Sequence, residues 1–273
     1  MEHPTTGSTM SEAVSSTVSL PQNPAVDATI DADRLDDSLA VLGALVDECR
    51  LELGADGLHV RAVDPASVAA VSLDLPADAF EQYTANGETV GVDVIRLGEV
   101  VGLADPGDSV RLVLDAERRR LHVLVGELTY TLGLIDPEAI REPLDPAEME
   151  YDCPAELAIA GSDVSRIVDA AEMVSTHLTL GVDADPAAFY AEASGDTDDV
   201  ALAFDGDYLA ALSPAAVESL FSLDYLREMV RPIPADSEVT MALGTEQPVT
   251  LNFGLGEGPG EATFLLSPRR SVA

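Results

Sequence analysis

Two stretches decide how this chain folds: Ala104-Asp105-Pro106-Gly107-Asp108-Ser109-Val110-Arg111-Leu112 and Ile233-Pro234-Ala235-Asp236-Ser237-Glu238-Val239-Thr240-Met241. Each follows a helical stripe, turns through an acidic, proline-bearing loop and enters alternating residues that read as a strand. Each continues as a three-strand meander that stops at a proline, Pro137 or Pro268. Working outward from both, the order of elements repeats, which predicts a duplicated unit with two helices and many strands.

In the first half, Leu35, Leu39, Leu42, Leu45 and Val46 recur at spacings of three and four, so a helix is expected over Ala32 to Cys49, capped by Asp31 or Asp33. Leu51–Leu53 and Leu58–Val63 flank Gly54-Ala55-Asp56-Gly57 as a hairpin, and Val68–Leu75 alternates again. A second helix is expected over Val92 to Leu103, then strands at Ser109–Asp115, Arg120–Val125 and Leu128–Ile135. The second half predicts a strand at Ala155–Ala160 and a helix at Asp163–Val174 capped by Ser162 or Asp163. Strands follow at Leu178–Val182, Ala188–Ala193 and Val200–Phe204, and a helix at Leu220–Val230. Strands at Val239–Leu243, Val249–Phe253 and Ala262–Leu266 end the half. Between the halves, Asp136 to Tyr151 carries Pro137, Pro143 and Pro146 among many acids and reads as a connector. The expected organisation is a disordered extension over 1–24, a first domain over 25–135, the connector over 136–151 and a second domain over 152–273.

Fifty acids oppose 14 bases, all of them Arg, for a formal charge of −36. The acids are spread from Glu2 to Glu261 rather than gathered in a tail, which points to adaptation to high salt. At about 1 M salt the Debye length is roughly 3 Å, so self-repulsion is screened; the protein is expected to loosen in dilute buffer. Cys49 and Cys153 form no CxxC pair and no disulfide framework, which fits a reducing, cytoplasmic compartment. No apolar run approaches the roughly 18 residues that span a bilayer, and the N-terminus lacks the basic region of a signal peptide.

Arg61-Ala62-Val63-Asp64-Pro65-Ala66-Ser67-Val68, Gly91-Val92-Asp93-Val94, Ser222-Leu223-Asp224-Tyr225-Leu226 and Leu265-Leu266-Ser267-Pro268 together resemble the archaeal and eukaryotic sliding clamps, the proliferating cell nuclear antigen family. The resemblance runs from about Ala25 to Arg270. It implies an α+β fold of two similar domains, each with antiparallel sheets and two helices, and a homotrimeric ring with helices lining the hole. It implies duplex DNA, a DNA polymerase, a clamp loader, a flap nuclease and a ligase as partners, a nucleoid-associated location, and neither cofactor nor resident metal. One ring-closing edge would be Glu127–Leu134 and the other Ala187–Ala193.

The resemblance also implies a groove for partner peptides beneath the connector. Its matching positions are Val63, Ser67, Val68 and Ala70; Ile140, Leu144 and Tyr151 on the connector; and Pro248, Leu265, Ser267 and Pro268, with Leu266 read as core. Where the family often has an apolar residue after the final proline, this chain has Arg270. The DNA-facing cations would be Arg34, Arg96, Arg166, Arg227 and Arg231, yet acids (Asp36, Asp37, Glu99, Asp169, Asp224) occupy positions that are usually basic. These departures leave room for a specialised clamp with altered partners or in a mixed ring.

An enzyme on a duplicated α+β fold is the reading from another class. His3, His59, His122 and His177 form no HxxxH or HExxH, and there is no GxSxG elbow or P-loop. The glycines of Gly254 to Gly260 lie between strands, not before a helix, so they read as a hairpin loop. Asp196-Thr197-Asp198-Asp199 lacks EF-hand spacing and reads as a solvated turn.

Overall fold

The computed structural model describes residues 19–141, 151–256 and 258–269. Most of the expected extension, the connector position Leu144 and the tail residue Arg270 lie outside them. β1 (Val26–Asp31) runs without a loop into α1 (Ala32–Gly43). β2 (Glu48–Leu53), β3 (Gly57–Val63) and β4 (Ala69–Pro76) follow; β5 (Gln82–Ala85) and β6 (Glu88–Asp93) then lead into α2 (Val94–Val101). β7 (Ser109–Asp115), β8 (Arg120–Val125) and β9 (Leu128–Gly133) complete the half.

The second half repeats this order with β10 (Ala155–Ala160), α3 (Gly161–Glu172), β11 (His177–Ala184), β12 (Ala187–Ser194) and β13 (Asp199–Asp205). A short β14 (Ala211–Ser213), β15 (Val217–Ser222) and α4 (Leu223–Val230) come next, then β16 (Glu238–Leu243), β17 (Val249–Gly254) and β18 (Glu261–Leu266).

The strands form three antiparallel sheets: β5-β1-β7-β8-β9, β13-β12-β11-β15, and a nine-stranded sheet ordered β14-β10-β16-β17-β18-β4-β3-β2-β6. The last joins the halves by pairing β18 with β4, with Phe264 opposite Val71 and Leu265 opposite Ala70. Alternation decides the faces. Ala69, Val71, Leu73 and Leu75 of β4 are buried, while Ala70, Ser72 and Asp74 face outward. The buried rows pack on the helices through Leu35, Leu39 and Leu42 of α1, Leu97 and Val100 of α2, Val164, Ile167 and Val168 of α3, and Leu226 and Met229 of α4. Truncating one such leucine to alanine typically costs about 2–5 kcal/mol.

Element boundaries depart from the sequence reading at the helices. The first helix ends at Gly43, so Val46 is buried in the following turn and Cys49 lies inside β2. The second spans only Val94–Val101, because Val92 belongs to β6. Leu220 and Phe221, expected to open the fourth helix, belong to β15. The strands β1, β5, β6, β14 and β15 are absent from the sequence reading, although Asn86-Gly87 between β5 and β6 and Pro214 between β14 and β15 are turn residues. Asp31 does cap α1, accepting from Arg34 N at 3.0 Å. The expected Ser162 or Asp163 cap of α3 is absent. Its first amides donate instead to loop carbonyls: Gly161 N to Ser237 O at 2.8 Å and Ser162 N to Ala235 O at 2.9 Å.

One edge expectation is also corrected. β12, which holds Ala187–Ala193, is flanked by β11 and β13 and cannot accept a further strand; that sheet ends in β13 and β15, and β13 is the edge strand beside β12. Within the Glu127–Leu134 stretch, β9 does lie at an edge, paired only with β8.

Candidate partner groove and ring-closing edges

The loop between β3 and β4 is organised by one buried carboxylate. Asp64 accepts from the amides of Ala66 (2.9 Å), Val68 (2.6 Å) and Ala69 (2.7 Å), and from the Tyr225 hydroxyl on α4 (2.8 Å). Burial alone would raise the Asp64 pKa. The Ala69, Tyr225, Val68 and Ala66 hydrogen bonds outweigh it and hold the group below the usual carboxylate value. The last bond spans the two halves, so two motifs that resembled the family separately meet at one contact. Neither motif alone signals this pairing in the sequence. The same loop holds Ser67 at φ 60°, and Val68 O accepts from Ser267 N at 2.9 Å.

Beside this loop, adjacent strands align Val63, Ala70, Leu265 and Thr250 in one row on the outward face. All four are partly exposed. Leu266 points the other way and is fully buried, as expected of core. The row therefore makes a shallow apolar strip across the joint between the halves, with Ser67, Val68, Ser267 and Pro268 along one side. Pro248 is buried; its carbonyl accepts from Cys153 Sγ at 3.5 Å, which places the end of the connector beside it. Tyr151 is partly exposed at that end.

Ile140 has a different job from the one expected. It is buried against Gly91, and a side chain at Gly91 would lie 2.7 Å from Ile140 Cδ1 and 2.8 Å from Ile135 O. The Ile140 carbonyl accepts from Arg50 Nη2 at 2.6 Å, and Arg141 Nη1 reaches Ser67 Oγ at 2.6 Å. Ile140 thus seats the connector on the outward face, and its side chain is covered.

The five anticipated cations are all engaged within the chain. Arg34 Nη1 donates to Pro259 O at 2.9 Å. Arg96 lies 4.0 Å from Asp93, and its hydrogen bond with the Tyr130 side chain is the main cause of its raised pKa. Arg166 pairs with Asp163 at 2.9 Å and sits over the Phe204 ring at 5.7 Å. Arg227 pairs with Glu228 (3.0 Å) and Glu172 (3.3 Å), and Arg231 with Glu228 (3.0 Å). Around them Asp33, Asp36, Asp37, Glu99, Asp169 and Asp224 are exposed on the four helices.

Among the described residues no group of three or more His, Cys, Asp or Glu is arranged to hold a metal ion, and no helix is long and apolar enough to cross a membrane.

The family model of the proliferating cell nuclear antigen N-terminal domain matches residues 31–128. DNA polymerase sliding clamps of the halophilic archaea Natronomonas pharaonis and Haloarcula marismortui are 49% and 48% identical over 242 residues, covering 89% of this chain and 97% of each relative. Among solved structures, A. fulgidus PCNA bound to the C-terminal region of FEN-1 superposes with a TM-score of 0.85 at 32% identity, over 91% of this chain and 100% of that one. The PCNA2-PCNA3 complex from Sulfolobus tokodaii gives 0.77 at 25% identity, over 89% and 99%. The duplicated architecture, the outward row of Val63, Ala70, Leu265 and Thr250, and these likenesses agree: the chain belongs to the proliferating cell nuclear antigen family of DNA polymerase sliding clamps.

Proposed function

We propose that the chain is one subunit of a homotrimeric ring that encircles duplex DNA and tethers replication and repair proteins to it, without catalysing a reaction itself. The observation that carries this reading is the joint already closed inside the chain. Matching the halves by element order sets β18 against β9 and β4 against β13, and β9 and β13 each end a sheet with one side unpaired. The Phe264–Val71 register then maps onto Tyr130 of one subunit opposite Val200 of the next. Tyr130, Val200 and Leu202 are apolar and half-covered, and Leu128 is exposed, as suits side chains awaiting a neighbour. Such head-to-tail contacts close into a ring when the rotation permits.

In that ring α1 to α4 line the hole. Arg34, Arg96, Arg166, Arg227 and Arg231 are the cations available to phosphates, but each is shared with an acceptor of its own chain. Retention therefore rests on topology more than on charge. The groove residues are Val63, Ser67, Val68, Ala70, Leu144, Tyr151, Pro248, Leu265, Ser267 and Pro268, with Ile140 seating the connector. They suit the short helical turn of a client such as a polymerase, flap nuclease or ligase; an ATP-driven loader would open the ring. The domains are 25–135 and 152–273, joined by 136–151, and the location is cytoplasmic.

The test is retention on DNA. Loaded by a halophile clamp loader and ATP in multimolar KCl, the protein should stay on nicked circular duplex and leave when the circle is cut. Equal loss from both forms contradicts encirclement. Leu144→Ala with Tyr151→Ala should weaken client-peptide binding at least tenfold; unchanged affinity would move the groove elsewhere.

A further inference from the structure

Leu103 and Met173 are the most exposed large apolar side chains among the described residues, at 66% and 84%. They sit just past the C-terminal ends of α2 and α3, on different halves. Isolated exposed apolar residues need no explanation, but these two hold related places. Counted from the starts of the matching helices, Leu103 takes the place of Pro232, after α4, and Met173 that of Ala44, after α1. Pro232 and Ala44 line one cleft of about 380 Å³ between α1 and α4 across the closed joint, with Gly43 and Glu228 beside them and Val94, Ile95 and Gly98 of α2 completing its floor.

The helices that carry the exposed pair also accompany the open edges. α2 packs against β8 on the sheet that ends in β9. α3 is tied to β13 through Arg166, whose guanidinium lies over the Phe204 ring. When β9 of one subunit pairs with β13 of the next, α2 and α3 therefore face each other as α4 and α1 do within the chain. We propose that Leu103 of one subunit packs against Met173 of its neighbour, an apolar clasp between helix ends on the channel side of each subunit joint. This rests on the ring reading and adds to the strand pairing a second, separate contact.

The chemistry of the two cleft walls supports the assignment. Inside the chain the wall positions are small, Gly43 and Ala44, and the cleft stays open. At the subunit joint the corresponding residues are Glu172 and Met173, and Leu103 replaces a proline. Methionine is unbranched and adaptable, which suits a contact that must open and reclose during loading. Glu99, Asp169 and Glu172 add negative charge from both subunits, repulsive in dilute buffer and screened in concentrated salt. The apolar pair is favoured further by salting-out salts. The clasp thus makes subunit association strengthen with salt.

The experiment uses the full chain in multimolar KCl. A Cys153→Ser background carries Leu103→Cys and Met173→Cys, singly and together, and a short bismaleimide is added. The double variant should give covalent dimers and trimers on a denaturing gel, and either single variant should not. Because both side chains are exposed in the subunit, folding should be unaffected. Separately, Leu103→Ala and Met173→Ala should each weaken ring assembly roughly tenfold. A species of three subunits by light scattering, with no cross-linking beyond the single variants, overturns the clasp and leaves the ring. Absence of that species for the unaltered chain overturns the ring and the clasp with it.

Discussion

The β4–β18 joint and the β9 and β13 edges are the same device in two states. In the first, strands from the two halves of one chain are paired, and Phe264 and Val71 are fully or almost fully covered. In the second, the corresponding Tyr130 and Val200 are only half-covered, and each strand has one unpaired side. The difference shows how a duplicated fold becomes an assembly: a joint repeated at both ends of an arc is satisfied once within the chain and once between chains. The same apolar substitution should then have opposite consequences at the two places.

That contrast yields the largest expected effect. Phe264→Ala should destabilise the subunit by about 3–5 kcal/mol, read from the denaturant midpoint. Tyr130→Ala should leave subunit stability within about 1 kcal/mol yet weaken association by about thirtyfold or more. If both variants unfold the chain, or neither affects assembly, the two joints are not equivalent.

Asp64 sharpens the comparison, because its hydrogen bond to Tyr225 reinforces only the closed joint. Asp64→Ala strips an acceptor from three amides and one hydroxyl and should cost about 3 kcal/mol at neutral pH. Tyr225→Phe should cost about 1–2 kcal/mol. Since the folded pKa of Asp64 is depressed, its stabilisation is fully present above the unfolded value of about 3.9. It is lost as pH falls through the folded value. The difference in stability between wild type and Asp64→Asn should therefore shrink below about pH 4.

Gly91→Ala forces the Ile140 seat and the Ile135 backbone to shift and should cost about 1–3 kcal/mol, with faster amide exchange at Ile140. The smallest effect is expected at the helix faces. Each of Arg166, Arg227 and Arg231 is shared with a carboxylate. Replacing any one by alanine should change the slope of log affinity against log salt by less than about 0.9, the value for a fully engaged phosphate contact.

Much of this was legible from the sequence because the signals were periodic. The two proline-marked loops, the meanders after them and the connector's prolines fixed the duplication, and the outward row of Val63, Ala70 and Leu265 follows from strand alternation. The first helix start, Ala32 with its Asp31 cap, was legible; the other three were not, for a physical reason. All four helices begin at the residue after a strand ends: Asp31 to Ala32, Asp93 to Val94, Ala160 to Gly161 and Ser222 to Leu223. No turn residue separates the two periods, so Leu220 and Phe221 read as helix. The true edge, β13, depends on sheet order, which side-chain patterning does not encode. Ile140 looked available because an apolar residue in an acidic connector needs cover; the cover proved to be Gly91 of its own chain. The Asp64–Tyr225 bond joins residues far apart in sequence, and no local pattern announces it.

The central claim is that β9 of one chain completes β13 of another. Static light scattering of the full chain in multimolar KCl tests it directly, with Tyr130→Asp as a companion. The account predicts a species of three times the 28.6 kDa chain for the wild type and a folded species at the single-chain mass for the variant. A wild-type protein that stays at the single-chain mass at every salt concentration would contradict it.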